Sequence, residues 1–472
     1  MSAAELCRLS LDEAAELVKR REASPVALTE AALARIDQLN PILNAFITVT
    51  AESALEEARA AEREIAGGRY RGPLHGIPLS LKDLYCTKGV RTTGGSRLLR
   101  DFVPDEDATA ARKLRESGAV LLGKNAMLEL AYGEEHPDYG ATRNPWDIEF
   151  GTNGSSSGSA AAVAAGLGYG SLGSDTGGSI RLPAAWCGIV GLKPSYGLVS
   201  RAGVLPLSWS LDHAGPMTRT VRDCALLLQA IAGYDPADPT SSRRPVPDYT
   251  AELDRVPRDL TAGVFAAEPD DGVLPEVRAA LDAATQALRD AGISVREVRQ
   301  PHPEQAARAL LALLYAEASS YHLPWLRQRP DDYSANTRER LELGALLPAT
   351  TYLSAQRARR TIIAAYQQLM REVDILLTPP APTASYRLGG ASIAPVGPEG
   401  DRMGRLIRFS GPFDLTGLPA IAVPAGLTGE GLPLGVQLAA RPFAEATLFQ
   451  AAQVVEQALK DRLPRPESGL VV

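Results

Sequence analysis

Gly154-Ser155-Ser156-Ser157-Gly158-Ser159 runs into an alanine-rich stretch ending at Ala165, and Gly173-Ser174-Asp175-Thr176-Gly177-Gly178-Ser179-Ile180-Arg181 follows shortly after. Serine and glycine at this density usually make flexible loops. Here they alternate with Ala160 to Ala165, Arg181-Leu182-Pro183-Ala184-Ala185-Trp186 and Ile189-Val190, apolar pieces that ask to be buried. Backbone amides and hydroxyls are therefore presented together inside a packed structure, which is what acyl transfer requires.

Working outward, Val120-Leu121-Leu122-Gly123 reads as a buried strand between a helix over Ala108 to Ser117 and a serine-capped helix over Ser157 to Ala165. Upstream, Leu11 to about Ala66 carries helical periodicity. Downstream, helices are predicted over 221–232, 274–291, 304–318, 350–372 and 445–459, with strands at 374–378, 420–424 and 435–438 and a loop over 389–404. Strand and helix signals alternate, which argues for an α/β fold. We divide it into a helical scaffold (1–66), a core (73–219), a variable helical insertion shaping the substrate pocket (235–347), and a return to the sheet with a closing helix (348–472).

Composition narrows the function. The net charge of -7 offers no attraction for nucleic acid or anionic lipid. No apolar run is long enough to span a membrane. Cys7, Cys86, Cys187 and Cys224 lie far apart, so neither a metal site nor a disulfide framework is indicated, and Cys187 reads as a small packing residue. Without a signal peptide, a cytoplasmic location is expected. Only seven of the 49 basic residues are lysines, and one, Lys82, sits in the apolar strand Ile77-Pro78-Leu79-Ser80-Leu81-Lys82. Lysine, unlike arginine, gives up its proton when desolvated. Alternation along the strand turns Asp83 away from Lys82.

Two spellings point elsewhere. Gly168-Tyr169-Gly170-Ser171-Leu172-Gly173 matches the dinucleotide fingerprint, but it follows a helix, leads into another glycine turn, and has no acid about twenty residues on. No cofactor is expected. Gly154-Ser155-Ser156-Ser157-Gly158 matches the nucleophile elbow of α/β-hydrolases around Ser156, yet His213, His302 and His322 lie in neither glycine-rich nor strand-end settings. That hydrolase, and a catalytically silent scaffold, remain lower alternatives.

The segment from Gly154 to Ser200 resembles the signature of the amidase signature family, and Gly72 to Pro78, Gly123-Lys124-Asn125, Asn144-Pro145-Trp146, Gly191 to Gly197 and Leu415 to Ala420 are similar to its landmarks in the same order. The resemblance implies a single large α/β domain with a central mixed β-sheet covered by helices on both faces, and a Ser-cis-Ser-Lys triad: Ser179 as nucleophile, Ser155 behind a cis Gly154–Ser155 peptide as proton relay, and Lys82 as general base. Thr176, Gly177, Gly178 and Ser179 would supply the oxyanion hole, with Asp175 and Arg181 as a supporting ion pair. Met127, Tyr132, Phe150 and Trp209, together with Leu313 and Tyr315, are candidates to line a pocket for aryl or aliphatic amides. The expected substrate is a small-molecule amide, with carbamates and esters conceivable. The expected partners include neither nucleic acid nor membrane, and at most a second copy of the chain in a homodimer.

The alternative branch is the glutamine-hydrolysing A subunit of a tRNA-dependent amidotransferase. Arg359 resembles the arginine that holds glutamine's carboxylate there. Ile407 stands where an acidic partner for the amino group is expected, a departure that favours the stand-alone amidase.

Overall fold

The computed structural model describes residues 1–257, 259–266, 272–389 and 402–462. Thirteen strands occur among them: β1 Phe46–Val49, β2 Pro78–Lys82, β3 Val120–Asn125, β4 Arg143–Asn144, β5 Asp147–Gly151, β6 Gly170–Asp175, β7 Val190–Lys193, β8 His213–Thr218, β9 Thr261–Phe265, β10 Ser294–Val298, β11 Ile375–Thr378, β12 Ala420–Leu427 and β13 Pro433–Ala440. β4 and β5 pair as a separate ribbon. The others form one eleven-stranded sheet in the order β1-β3-β2-β6-β8-β7-β12-β13-β11-β9-β10. Pairing is parallel for β3/β2, β2/β6, β11/β9 and β9/β10 and antiparallel between the remaining neighbours, so the sheet is mixed, in a single domain flanked by helices.

Helices over Thr109–Glu116, Ser157–Ala164, Val221–Ile231, Pro275–Asp290, Ala349–Glu372 and Glu445–Leu459 fall where periodicity places them. The helix expected over 304–318 continues, spanning Pro303–Gln328. At the N-terminus, Ser10 and Glu13 form a reciprocal capping box and Ser24 accepts from Val26 and Ala27 N–H, which sets the starts of two scaffold helices.

Two expectations are corrected. The glycine-rich run after Gly168 is the fully buried central strand β6, not a turn. Its small residues serve close packing: a Cβ on Gly173 would sit 2.8 Å from Met217 Sδ and 2.9 Å from Ser156 Oγ. The region 235–347 is not wholly a helical insertion either, since β9 and β10 extend the sheet at its edge. Of the loop expected over 389–404, residues 390–401 lie outside the described residues, and Arg402–Leu406 is a short helix. Residues 463–472 of the closing segment also lie outside them.

Candidate active site

β2 and β6 run parallel and adjacent, with Ser80 opposite Ser171 and Leu81 opposite Leu172. Their carboxyl ends therefore emerge side by side, the edge of an open α/β sheet where ligands bind. One delivers Lys82, the other Ser174 and Asp175. The helix Ser157–Ala164 begins just beyond Ser155 and Ser156, and the helix Arg181–Cys187 begins just beyond Ser179.

Lys82 is fully buried. Its Nζ donates to Ser155 Oγ at 2.7 Å, Ser174 Oγ at 2.8 Å and Ser156 Oγ at 3.1 Å. Burial away from any carboxylate partner pushes its pKa from 10.5 down to about 7, against the distant pull of Asp175 and Asp212. Asp83 points elsewhere, as alternation requires: it accepts from Thr93 N–H at 2.8 Å and stands 3.5 Å from Lys124 Nζ. Ser174 and Ser156 escaped the sequence reading. As partners of the lysine, Ser174 is brought in by β6, the strand lying beside β2, and Ser156 by the start of the helix Ser157–Ala164.

Ser155, Ser179, Thr176 and Gly177 line one cavity of about 470 Å³. No hydrogen bond joins the Ser155 and Ser179 hydroxyls among the described residues. The Gly154–Ser155 peptide, implied to be cis, is trans. Trans is the lower-energy form of a non-proline bond, and Lys82 reaches Ser155 without the cis geometry.

Asp175 organises the loop. It accepts from Gly178 N–H at 2.6 Å and Ile180 N–H at 3.0 Å. Gly178 is therefore corrected as an oxyanion donor, because its N–H is turned onto a carboxylate. The N–H groups of Thr176, Gly177 and Ser179 donate to nothing among the described residues. Burial alone would raise the Asp175 pKa, but Arg181 holds it well below the usual carboxylate range. The Arg181 guanidinium binds Asp175 through Nε and Nη2 at 2.9 Å each, Asp414 at 2.7 Å and Gln437 at 2.7 Å. The ion pair expected from sequence is thus a buried network drawn partly from residues more than 200 positions away.

The pocket candidates divide. Tyr132 lines the cavity, its ring edge-on to Tyr315. Met127 does not: it is 1% exposed in the main core, and the neighbouring Leu128 takes the wall position. Phe150 is buried beneath Arg387, 4.7 Å from ring centroid to guanidinium, and lies outside the lining. Trp209 is 45% exposed and borders a second cavity of about 490 Å³. Leu313 is buried in the core, while Leu310, Leu311 and Leu314 of the same helix face the cavity. The elbow reading is corrected as well. Ser156 is fully buried, donates to Ser174 O at 3.1 Å, and lies outside the cavity lining. His213 does open a strand, β8, contrary to expectation, but its Nδ1 is committed to Leu211 O at 2.6 Å.

Arg359 is held by structure: it donates to Leu415 O at 2.8 Å and to Ser210 Oγ and O at 3.0 and 2.9 Å. Ile407 lines the cavity. Cys187 is fully buried, and burial raises its thiol pKa far above the ordinary value. No helix among the described residues is long and apolar enough to cross a membrane.

A strand-end lysine among serines beside a glycine-rich loop defines the class, and the Amidase family profile matches residues 27–449, so the chain belongs to that family of enzymes acting on amide C–N bonds. The chain is 42% identical over 480 residues to a glutamyl-tRNA(Gln) amidotransferase A subunit from Geobacter metallireducens, covering 96% of this chain and 98% of the relative. It is similar to a solved structure of an inhibitor-bound vestigial complex described as revealing the origins of an s-triazine catabolic enzyme, with TM-score 0.90 and 35% identity over 97% of this chain and 100% of that one. A bacterial aryl acylamidase of the amidase signature family matches with TM-score 0.87 and 28% identity, covering 97% and 98%. The name of that first relative includes a tRNA, whereas the net charge of this chain led to the expectation that nucleic acid plays no part.

Proposed function

We propose that the protein is an amidohydrolase that cleaves its substrate through an acyl-enzyme on Ser179. The observation that carries this reading is Lys82, a fully buried amine with a pKa of about 7, bonded among the described residues only to hydroxyls. As Ser179 Oγ attacks the carbonyl carbon, its proton passes through Ser155 Oγ to neutral Lys82. The oxyanion is received by the N–H groups of Thr176, Gly177 and Ser179. Protonated Lys82 returns the proton through Ser155 to the leaving nitrogen, the C–N bond breaks, and water then hydrolyses the Ser179 ester by the same relay. Asp175 and Arg181 shape the loop and stay out of the proton path. The parts of 235–347 that shape the pocket are the helix bearing Leu310, Leu311 and Leu314 and the helix Ala335–Ala345 bearing Arg340.

For the amide itself, 42% identity over nearly the full length favours the glutamine-hydrolysing subunit, with partner subunits and a tRNA in the assembly. That replaces the partner-free enzyme as the first reading. A specific observation keeps the second, a stand-alone amidase for small amides, carbamates or esters: Arg359 is spent on Ser210 and Leu415, and Ile407 gives the cavity an apolar wall where an ammonium would need a carboxylate.

The test is a panel of L-glutamine, aryl amides, carbamates and 4-nitrophenyl esters assayed with native protein and Ser179→Ala, with ammonia release from glutamine measured separately. Ser179→Ala is expected to lose at least about 1,000-fold in kcat. Equal turnover by the variant would remove Ser179 as nucleophile. Ammonia release from glutamine alone would select the amidotransferase reading, and turnover of the other amides the stand-alone one.

A further inference from the structure

We infer that Asp212 is a positioning residue that fixes the Thr176–Gly177 part of the oxyanion loop by clamping it to the turn 207–212, and through that turn to the cavity-wall helix. The inference rests on the donor assignment proposed above. Thr176 is 4% exposed, and its Oγ1 donates to Asp212 Oδ1 at 2.7 Å. The other carboxylate oxygen, Oδ2, accepts from the N–H groups of Leu207 and Ser208 at 2.9 Å each. One buried carboxylate thus spans two loops that have no covalent reason to keep their spacing.

The turn itself is braced from the far side. Glu317, 1% exposed on the helix Pro303–Gln328, accepts from Ser208 Oγ at 2.6 Å, Ser210 Oγ at 2.7 Å and Ser210 N–H at 3.1 Å. Arg359 holds Ser210 from the helix Ala349–Glu372. The helix carrying Glu317 also presents Leu310, Leu311 and Leu314 to the cavity, and Leu207 borders the same space. The wall that receives the substrate and the loop that receives the oxyanion therefore share one support.

Threonine suits the joint. Its branched Cβ restricts χ1, so anchoring the hydroxyl also sets the backbone of residue 176 and the direction of the N–H groups that follow. Gly177 has no side chain of its own to hold it. A donor displaced by about 1 Å costs on the order of 100-fold in rate, which sets the scale of the effect.

The experiment measures kcat and KM for 4-nitrophenyl butyrate, and the rate at which phenylmethanesulfonyl fluoride sulfonylates Ser179 with release of fluoride, followed by intact mass. Thr176→Val and Asp212→Leu are each expected to lower kcat and the sulfonylation rate by roughly 10- to 100-fold with KM within about threefold. Thr176→Ser, which keeps the hydroxyl, should stay within about threefold of the native protein. The double variant Thr176→Val/Asp212→Leu should be no more than about threefold slower than the worse single, because both cut one link. Native rates in Thr176→Val, or a double variant as slow as the product of the two singles, would overturn the inference. Should Asp212→Leu fail to fold, the contrast between Thr176→Val and Thr176→Ser decides by itself. Native protein that neither hydrolyses the ester nor is sulfonylated overturns the Ser179 reading and this inference with it; a Ser179-dependent enzyme indifferent to Thr176→Val overturns this inference alone.

Discussion

Lys124 Nζ stands 3.5 Å from Asp83 Oδ1, so the carboxylate that follows Lys82 in the chain belongs to a different lysine. Lys124 also donates to Tyr85 O at 2.6 Å and Thr92 Oγ1 at 2.7 Å, and both members of the pair are fully buried. Removing one partner of such a pair strands a charge, at a cost of about 3–5 kcal/mol. Lys124→Met should lose that much stability in urea denaturation, and Asp83→Asn/Lys124→Met should recover part of it. A single variant as stable as the native protein would show that Asp83 is not held charged by Lys124.

The Lys82 amine sets a pH dependence of activity and, separately, of stability. Its pKa in the folded protein is about 7, below its ordinary 10.5. The neutral base is populated above about pH 7, so kcat/KM should rise with pH to a plateau, with a midpoint near 7. Between the two values the unfolded chain binds more protons than the folded one, so folding stability rises with pH across that window. Below it the full cost of burying the ammonium is present, roughly 5 kcal/mol. Lys82→Met escapes this cost, so its Tm relative to native should be most favourable at about pH 6 and fall back steadily towards about pH 10. A difference independent of pH would mean that Lys82 titrates normally.

Ser174 is expected to tune that midpoint. Its Oγ accepts from Lys82 Nζ at 2.8 Å, an interaction that favours the charged amine. Ser174→Ala removes an acceptor of the ammonium, so the Lys82 pKa falls and the acid limb of the kcat/KM profile moves to lower pH. A limb that moves upward or stays fixed would place the titration on another group.

The residues near the reacting centre were legible because their types carry the chemistry. A lysine in an apolar strand and serines set among glycines leave few readings, and the family resemblance supplied the role proposed for each serine. What surrounds them was hidden for physical reasons. Asp414 and Gln437 reach Arg181 from across the sheet, a proximity created by strand order β7-β12-β13 that no local pattern encodes. β6 read as a turn because its glycines, which bring neighbours close, are also the residues turns prefer. Met127, Phe150 and Trp209 failed as lining residues because apolar character says that a side chain is buried, or binds, without saying which face it is buried against. Leu310, Leu311 and Leu314 were missed for the converse reason: at helical spacing they look like core, and only the void beside them distinguishes them.

Two adjacent glycines of the loop bearing Ser179 should respond differently to alanine. Gly178 has φ +133°, and a Cβ there would lie 2.7 Å from Ser410 Oγ and 2.9 Å from Leu182. Its backbone disfavours any side chain, and its N–H is tied to Asp175. Gly178→Ala must therefore either break that bond or push the helix Arg181–Cys187 away, and both move Ser179. Among the described residues, a Cβ on Gly177 meets nothing nearer than Leu310 at 3.7 Å and Ile407 at 4.0 Å, on the cavity side. Gly177→Ala should keep native stability and its acylation rate with a small acetyl ester, while its KM rises for acyl groups bulky enough to press against Leu310 and Ile407. Gly178→Ala should lose roughly 1–3 kcal/mol of stability and most of its turnover on every ester in the series. Equal behaviour of the two variants in kcat, KM and thermal unfolding would mean that the loop is not held in the conformation that Asp175 and Ser410 impose.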